Sequence, residues 1–262
     1  MYRTPITPDL SQFPTEFHCL LCSGSVFDSS SSPAAQVFYI DKDRGYFLKT
    51  APKNTLLQEA ELTRFYHSLG LSAPVLAYES LDRDWLLTER IPGEDCLNTQ
   101  YLAQPERLCD TTALLLRQLH DTAAPGCPVT DLTARRLETA RRNFEAGNFD
   151  RSLFPDNWGF RSGEEAAALL EALGPQFRAD CLVHGDYCLP NILLDHWSFS
   201  GFIDLAAGGL GDRHFDLHWG LWSLAFNLKT DRYRDRFLDA YGRDAVREEL
   251  LRAAAALEVF NA

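Results

Sequence analysis

The sequence has no apolar run near the roughly 18 residues that a membrane-spanning helix requires, so we expect no membrane association. Its first residues, Met1 to Asp9, contain no apolar signal core, and we expect a cytoplasmic protein. Cysteine is odd in number, with seven residues, which favours reduced thiols. Cys19 and Cys22 have the CxxC spacing, but no second pair lies near them, so no structural zinc site is expected.

Positive charge is also scarce. The chain has 25 Lys and Arg residues against 37 Asp and Glu residues, a net charge of −12. Such a surface is a poor partner for long phosphate backbones, so no nucleic-acid partner is expected. Acidic surfaces concentrate cationic small molecules, and a cationic substrate is the partner class that the charge allows. We expect a monomer or a weak dimer.

The 262 residues, 45% of them hydrophobic, are enough for a globular protein of about one to two domains. Short apolar segments between turn residues predict strands at 37–40, 46–49, 73–78 and 85–88, with a helix at 55–69. After a break at Ile91-Pro92-Gly93-Glu94 the pattern becomes helical. It predicts helices at 106–120, 131–146, 163–173, 232–241 and 245–259, and a β interlude at 181–183, 191–194 and 199–205.

These patterns predict an α+β, bilobal protein. Residues 1–91 would form a β-rich lobe, and residues 92–262 a mainly helical lobe. Because the link is short, the lobes should touch, and a cleft between two lobes is a favoured place for a ligand.

The most informative stretch is Val183 to Leu194, in which apolar residues surround Asp186 and Asn191, followed by Asp204 in a second apolar segment. A carboxylate at the end of an apolar strand is costly unless it binds a cation or a donor. Mg²⁺ prefers hard oxygen ligands, which Asn191 and Asp204 would supply. Asp186 precedes Asn191 by the offset of a kinase catalytic loop, which predicts a base for an acceptor hydroxyl.

A lysine at the end of a strand is the candidate phosphate ligand. Lys49 follows the apolar residues Tyr46 to Leu48, and the next helix offers Glu59 and Glu61 as partners. Helical periodicity does not choose between the two. No GxxxxGK[ST] motif occurs, which excludes a P-loop, and Gly208-Gly209-Leu210-Gly211 lacks the context of a dinucleotide fingerprint.

Three motifs together carry a family resemblance: His184-Gly185-Asp186 with Asn191, Gly201-Phe202-Ile203-Asp204, and Asp212-Arg213-His214-Phe215-Asp216. They resemble the aminoglycoside phosphotransferase family, most of all its 3′-phosphotransferase branch, over nearly the whole chain. The resemblance implies a protein-kinase-like fold and Mg²⁺-dependent transfer of the γ-phosphoryl group of ATP, or GTP, to an aminoglycoside hydroxyl.

The resemblance also implies roles for single residues. Asp186 would be the catalytic base, and Asn191 and Asp204 the Mg²⁺ ligands. The lobe of residues 1–91 would bind the nucleotide, and residues 92–262 would contain the catalytic loop and the acceptor site. Nucleotide binding would fall to Lys49 with Glu59 as its partner, to a phosphate-covering loop around Ser31, and to backbone groups around Glu89 and Ile91 at the adenine. His184 and Asp216 would brace the catalytic loop rather than react.

Three departures concern the acceptor and the phosphates. Ala206-Ala207 stands where this branch usually has Gly-Arg after the metal aspartate and its neighbour. The carboxyl-terminal acidic pair is reduced to Glu258, and the pair expected in the helix after Trp222 appears as Phe226-Asn227. Glu258 and Asn227 are therefore the candidate acceptor-binding residues, with weaker contacts to a polycation than the family has.

Three alternatives stay open. The first is a kinase of the same fold for another hydroxylated acceptor, such as a sugar or an amino alcohol. The second is a metal-dependent hydrolase, although that reading leaves Lys49 and Asn191 unexplained. Its ligand types would be His184, Asp186, Asp204, His214, Asp216 and His218. The third is a non-catalytic nucleotide-binding or scaffold protein.

Overall fold

A computed structural model describes residues 3–31, 33–150 and 160–261 of the chain. It contains both strands and helices, which confirms the α+β class. The strands are β1 (Thr4–Ile6), β2 (Ser25–Asp28), β3 (Gln36–Asp41), β4 (Tyr46–Pro52), β5 (Val75–Ser80), β6 (Arg83–Glu89), β7 (Glu94–Asp95), β8 (Cys181–Val183), β9 (Ile192–Asp195), β10 (Ser198–Phe202) and β11 (Gly209–Gly211). The α-helices are α1 (Thr15–Ser23), α2 (Leu57–Ser68), α3 (Thr99–Leu102), α4 (Pro105–Asp121), α5 (Leu132–Glu145), α6 (Gly163–Leu173), α7 (Arg213–Leu228), α8 (Arg234–Tyr241) and α9 (Glu248–Asn261).

The chain divides into two compact units. Unit 1 comprises Met1–Asp95 and Ile192–Ala206, and unit 2 comprises Cys96–Asn191 and Ala207–Ala262. The predicted boundary after residue 91 therefore lies close to the first crossing point, at Asp95. The structure differs in the segment 192–206, which was predicted to belong to the second lobe. The reason is strand pairing, since β9 pairs with β7, and residues 94–95 and 192–195 thus share one sheet.

Unit 1 is built on a six-stranded antiparallel sheet with the strand order β1-β2-β3-β4-β6-β5. Successive side chains of a strand point to opposite faces, and the two faces carry separate cores. Leu48 and Trp85 pack with Phe17 and Leu21 of α1, whereas Ala51 and Leu86 pack with residues of α2. Lys49 is two residues from Ala51 and so shares the α2 face of β4.

A second sheet of unit 1 carries the residue predicted to bind metal. Its order is β10-β9-β7, and Asp204 follows β10 directly. The predicted strand 199–205 is too long, because the ladder ends at Phe202. Asp204 has φ +57°, a left-handed conformation that a strand does not accommodate, and a 3-10 helix follows at Leu205–Ala207.

Unit 2 is mainly helical. Its carboxyl-terminal helix α9 packs against α5, α6 and α7, and α4 packs against α7 and α8. A two-stranded pair, β8 with β11, lies among them and leads into the predicted catalytic loop. Helix α7 begins where Asp212 accepts a hydrogen bond from the His214 amide, as N-cap residues do. Within the described residues, no helix has the length and hydropathy needed to cross a bilayer.

The predicted helices match the observed ones to within about three residues at either end. The pattern did not mark α1. It also did not delimit α7. Tryptophan, histidine and glycine in α7 give no clean apolar stripe, because the helix is buried along most of its length.

Candidate active site

In unit 1 the structure brings together Lys49, Glu59 and Asp204. The Lys49 ammonium donates to both Glu59 carboxylate oxygens, at 2.8 and 2.9 Å, and to Asp204 Oδ1 at 3.0 Å. Glu59 is buried and Glu61 is exposed, so the choice that periodicity left open falls on Glu59. Strand β4, helix α2 and the segment after β10 thus each contribute one charged side chain to this cluster.

Charge on Lys49 is maintained by its two partners. Burial alone would lower the pKa of Lys49, but the carboxylates of Asp204 and Glu59 outweigh it and raise that pKa. The side chain retains 20% exposure, against 7% for Glu59. Lys49 is therefore kept protonated and fixed in position, and its side chain is still accessible to an anionic ligand.

Asp204 is the most accessible member of this cluster, with a side chain that is 50% exposed. Its left-handed backbone is one that Asp and Asn adopt more readily than most residues. The segment that follows is fixed to α2, because Gln58 Nε2 donates to the Ala206 carbonyl at 2.7 Å. An exposed carboxylate on a fixed turn fits the oxygen ligand that Mg²⁺ prefers.

The predicted nucleotide contacts also lie in unit 1. Ser31 is exposed in the loop after β2, and its neighbour Ser32 lies outside the described residues. Glu89 is the last residue of β6, and its amide donates to the Pro74 carbonyl at 3.2 Å. Ile91 is buried against Ala73 and Leu193, so its side chain is engaged in packing and only its backbone groups would be left for the predicted contact.

In unit 2 the loop at His184 to Asp186 is anchored by one buried carboxylate. Asp216 accepts the amides of His184 and Gly185, both at 2.7 Å, and lies 3.3 Å from Nε2 of His120. Burial would raise the pKa of Asp216, but His120, His184 and the Gly185 amide together lower it. The two residues predicted to brace the loop, His184 and Asp216, are thus bonded within it.

Gly185 shows why this loop needs a glycine. Its φ is +84°, and a Cβ at this position would lie 1.9 Å from the Ala207 carbonyl oxygen. The next residue, Asp186, donates its amide to His184 Nδ1 at 3.3 Å, and Asn191 Nδ2 donates to Asp186 Oδ2 at 2.8 Å. The predicted base and the predicted metal ligand of unit 2 are therefore in direct contact.

The two predicted acceptor-binding residues have different surroundings. Asn227 is half-buried, and its Nδ2 donates to the Ser223 carbonyl at 2.8 Å. Glu258 is buried, with 3% exposure, and its Oε1 accepts from Arg136 Nη1 at 2.5 Å. Phe226, beside Asn227, is 54% exposed and stacks on Trp222 with ring centroids 4.9 Å apart.

Sequence reasoning missed Arg136. It lies on α5 in a helix with several arginines, and periodicity alone does not separate this partly buried arginine from its exposed neighbours. Its Nη2 donates to the Gly185 carbonyl at 2.7 Å. The guanidinium thus joins the catalytic loop to the carboxyl-terminal helix.

His214, one of the metal-ligand candidates of the hydrolase alternative, is engaged in hydrogen bonds within the protein. His214 Nδ1 lies 2.6 Å from Asp212 Oδ1, and its Nε2 accepts the Arg247 amide at 3.0 Å. Both ring nitrogens of His214 are therefore engaged. Over the described ranges, no group of three or more His, Cys, Asp and Glu side chains has the geometry to hold a metal. Burial raises the pKa of Cys181 and Cys188 near the loop, which disfavours reactive thiolates.

The family is decided by comparison. A family model described as phosphotransferase enzyme family matches residues 27–255, most of the chain. The chain belongs to this phosphotransferase family. The predicted family and the enzyme class, phosphotransfer to an alcohol group, are thereby confirmed.

Curated relatives of this phosphotransferase extend over almost its full length. A probable aminoglycoside 3′-phosphotransferase from Lactococcus lactis subsp. lactis (strain IL1403) is 46% identical over 254 residues, covering 97% of each chain. An aminoglycoside 3′-phosphotransferase from Niallia circulans is 30% identical and covers 86% of this chain and 87% of its own.

Solved structures agree on the fold. A crystal structure of aminoglycoside-3′-phosphotransferase of type VIII has a TM-score of 0.74 at 27% identity, over 95% of both chains. Aminoglycoside phosphotransferase APH(3'')-Id from Streptomyces rimosus ATCC10970 has a TM-score of 0.73 at 22% identity, covering 96% of this chain and 99% of its own. The predicted kinase-like fold is confirmed.

Proposed function

We propose that this phosphotransferase transfers the γ-phosphoryl group of ATP to the 3′-hydroxyl of an aminoglycoside. The observation that carries the proposal is the anchored loop that presents Asp186 and Asn191 in direct contact. Support comes from relatives at 46% and 30% identity that are named aminoglycoside 3′-phosphotransferases. Because ATP is the donor, we place the reaction in the cytoplasm.

Asp186 is the proposed catalytic base. Its carboxylate accepts the proton of the acceptor hydroxyl as that oxygen bonds to the γ-phosphorus, and the bond between the γ-phosphorus and the bridging oxygen breaks to release ADP. The hydrogen bond from Asn191 to Oδ2 leaves Oδ1 as the oxygen that faces the acceptor proton. Loop anchoring by Asp216 fixes where that oxygen lies.

Lys49 is the proposed phosphate ligand. The strong pairing with Glu59 holds the ammonium, so the flexible stem loses little further freedom when a nucleotide binds. Backbone groups around Glu89 and Ile91 would bind the adenine, and the loop at Ser31 would cover the phosphates. GTP stays the alternative donor.

The oxygen donors of Asn191 and Asp204 fit Mg²⁺, and these two residues are its proposed protein ligands. When bound, the ion neutralises charge on the nucleotide phosphates. Asp204 lies 3.0 Å from the Lys49 ammonium, and half of its side-chain surface is exposed, so a further ligand can reach its carboxylate oxygens.

The acceptor is the least constrained part of the proposal. Asn227 and Glu258 remain the predicted acceptor residues, and Phe226 puts an exposed ring where the family has an acid. An aromatic surface packs against the apolar face of a sugar ring as well as against an amine. This observation keeps a less cationic hydroxylated acceptor as the second candidate.

The deciding experiment measures nucleoside diphosphate release from Mg-ATP in the presence of kanamycin, neomycin and a panel of uncharged sugars. Release that requires an aminoglycoside and disappears in Asp186→Ala supports the proposal. Release with uncharged sugars would show that the acceptor is not an aminoglycoside, while the phosphoryl-transfer reaction would stand. ATP binding without release for any acceptor would support the scaffold alternative.

A further inference from the structure

Arg136 joins two structural elements that the proposed mechanism treats separately. Its Nη1 donates to Glu258 Oε1 at 2.5 Å, and its Nη2 donates to the Gly185 carbonyl at 2.7 Å. Arg136 lies on α5, Glu258 on α9, and Gly185 in the catalytic loop. One guanidinium therefore links the base's own loop to the carboxyl-terminal helix.

The peptide group between Gly185 and Asp186 is held at both of its polar atoms. Its carbonyl oxygen accepts from Arg136, and its amide nitrogen donates to His184 Nδ1 at 3.3 Å. Rotation of this peptide plane would move the Asp186 side chain directly. Arg136 supplies the shorter of the two bonds, and a charged donor makes a stronger hydrogen bond than a neutral one.

Glu258 has the surroundings of an anchor. The side chains of Arg136 and Glu258 are 11% and 4% exposed, and the Trp219 side chain also donates to the Glu258 carboxylate. Asn143 of α5 donates to the Phe260 carbonyl at 2.6 Å, a second contact between the two helices, two residues beyond Glu258 on α9. An amine that reached Glu258 would have to displace the guanidinium that is already paired with it.

From these contacts we infer that Arg136 is a positioning residue for Asp186, and that Glu258 acts through Arg136 rather than on the acceptor. The inference rests on the proposed function for the role of Asp186. It replaces the predicted acceptor contact of Glu258 with an internal one. It also gives the remaining acid of the carboxyl-terminal segment a reason to be buried.

The test compares Arg136→Ala, Arg136→Lys and Glu258→Gln with wild type, and uses Arg141→Ala as the matched control. Arg141 lies on the same helix, but its side chain is 57% exposed and pairs with Glu138 and Glu145 on that helix. Steady-state kinetics give kcat and KM for nucleotide and acceptor. Hydrogen exchange of the peptide covering residues 184–188 reports on the loop without any acceptor.

A displaced base should lower kcat with little effect on KM. We expect about a 100-fold loss of kcat in Arg136→Ala, since a shift of about 1 Å at a reacting group costs that much. Arg136→Lys should lose about tenfold, because a single ammonium does not reproduce the two-pronged contact. Glu258→Gln should resemble Arg136→Lys, and exchange in residues 184–188 should rise in all three but not in Arg141→Ala.

Two outcomes would overturn the inference. Unchanged kcat and unchanged exchange in Arg136→Lys and Glu258→Gln would remove the positioning role, even if Arg136→Ala fails to fold. A rise in acceptor KM at constant kcat in Glu258→Gln would return Glu258 to the acceptor site. If wild type phosphorylates no aminoglycoside, the proposed function fails, and the exchange measurement still decides whether Arg136 holds the loop.

Discussion

Asn191 donates one amide group to two oxygens of Asp186, its main-chain carbonyl at 2.9 Å and its carboxylate Oδ2 at 2.8 Å. The contact restrains the side-chain rotation of the proposed base. It also turns Asn191 Oδ1 away from that carboxylate, which leaves the amide oxygen for a cation. The side chain that orients the proposed base is thus also the proposed metal ligand, with its amide oxygen directed elsewhere.

Asp186→Asn tests the base. The substitution keeps the size of the side chain but removes its ability to accept a proton at neutral pH, so we expect kcat to fall by about 10²- to 10⁴-fold. Nucleotide binding, measured by calorimetry, should persist. Asp180→Asn removes an exposed carboxylate of the same unit and should leave kcat unchanged. Near-native turnover in Asp186→Asn would end the assignment of the base.

Lys49→Met tests the phosphate ligand. Loss of a charge-assisted contact to phosphate should raise the nucleotide KM by about tenfold or more. Lys53→Met is the control, because Lys53 is exposed just beyond β4. Equal nucleotide KM values in the two variants would contradict the role of Lys49.

Asp204→Asn tests the metal ligand. Asn tolerates the left-handed backbone at φ +57°, so the fold should be retained while the carboxylate charge is lost. We expect the Mg²⁺ concentration for half-maximal activity to rise roughly tenfold or more. Asp195→Asn, at an exposed carboxylate of the same unit, should leave it unchanged. An unaltered Mg²⁺ requirement in Asp204→Asn would remove this residue from the metal site.

The buried side chain of His218 is expected to make the free energy of unfolding decrease in acid. Burial, aided by the charge of Arg136, lowers the pKa of His218 from 6.5 to about 3. Between pH 6.5 and about 3 the unfolded chain therefore binds one more proton at this histidine than the folded chain does. The free energy of unfolding consequently decreases as the pH falls from 6.5 towards 3. The limiting slope is about 1.4 kcal/mol per pH unit.

Urea unfolding of wild type and His218→Phe between pH 7 and 4 measures this difference. As the pH falls, the free energy of unfolding of wild type should decrease relative to that of His218→Phe, and the limiting slope of the difference is the one given above. Taking the difference removes the common effect of Glu59 and Glu258, whose burial raises their pKa values. His196→Asn, at a side chain 93% exposed, should show no such change.

The sequence was sufficient to predict those elements and site residues that follow a local pattern along the chain. Strand alternation placed Lys49 on β4, and the spacing of Asp186 and Asn191 identified the loop. Tertiary contacts were not readable in the same way. Whether Glu59 or Glu61 meets Lys49 depends on how α2 turns against β4, and Arg136 differs from Arg141 only by what packs around it. The pairing of β7 with β9 was likewise invisible, because two strand residues at 94–95 give no periodic signal.

That pairing makes unit 1 discontinuous along the chain, and this affects how the protein is made and how it can be divided. During synthesis β7 emerges long before its partner, so the small sheet closes only after residue 206 has left the ribosome and the intervening helices have appeared. A fragment ending at residue 95 would lack both β9 and Asp204, one of the two carboxylates that pair with Lys49. Separate expression of unit 1 therefore requires the segment 192–206 to be grafted back onto it.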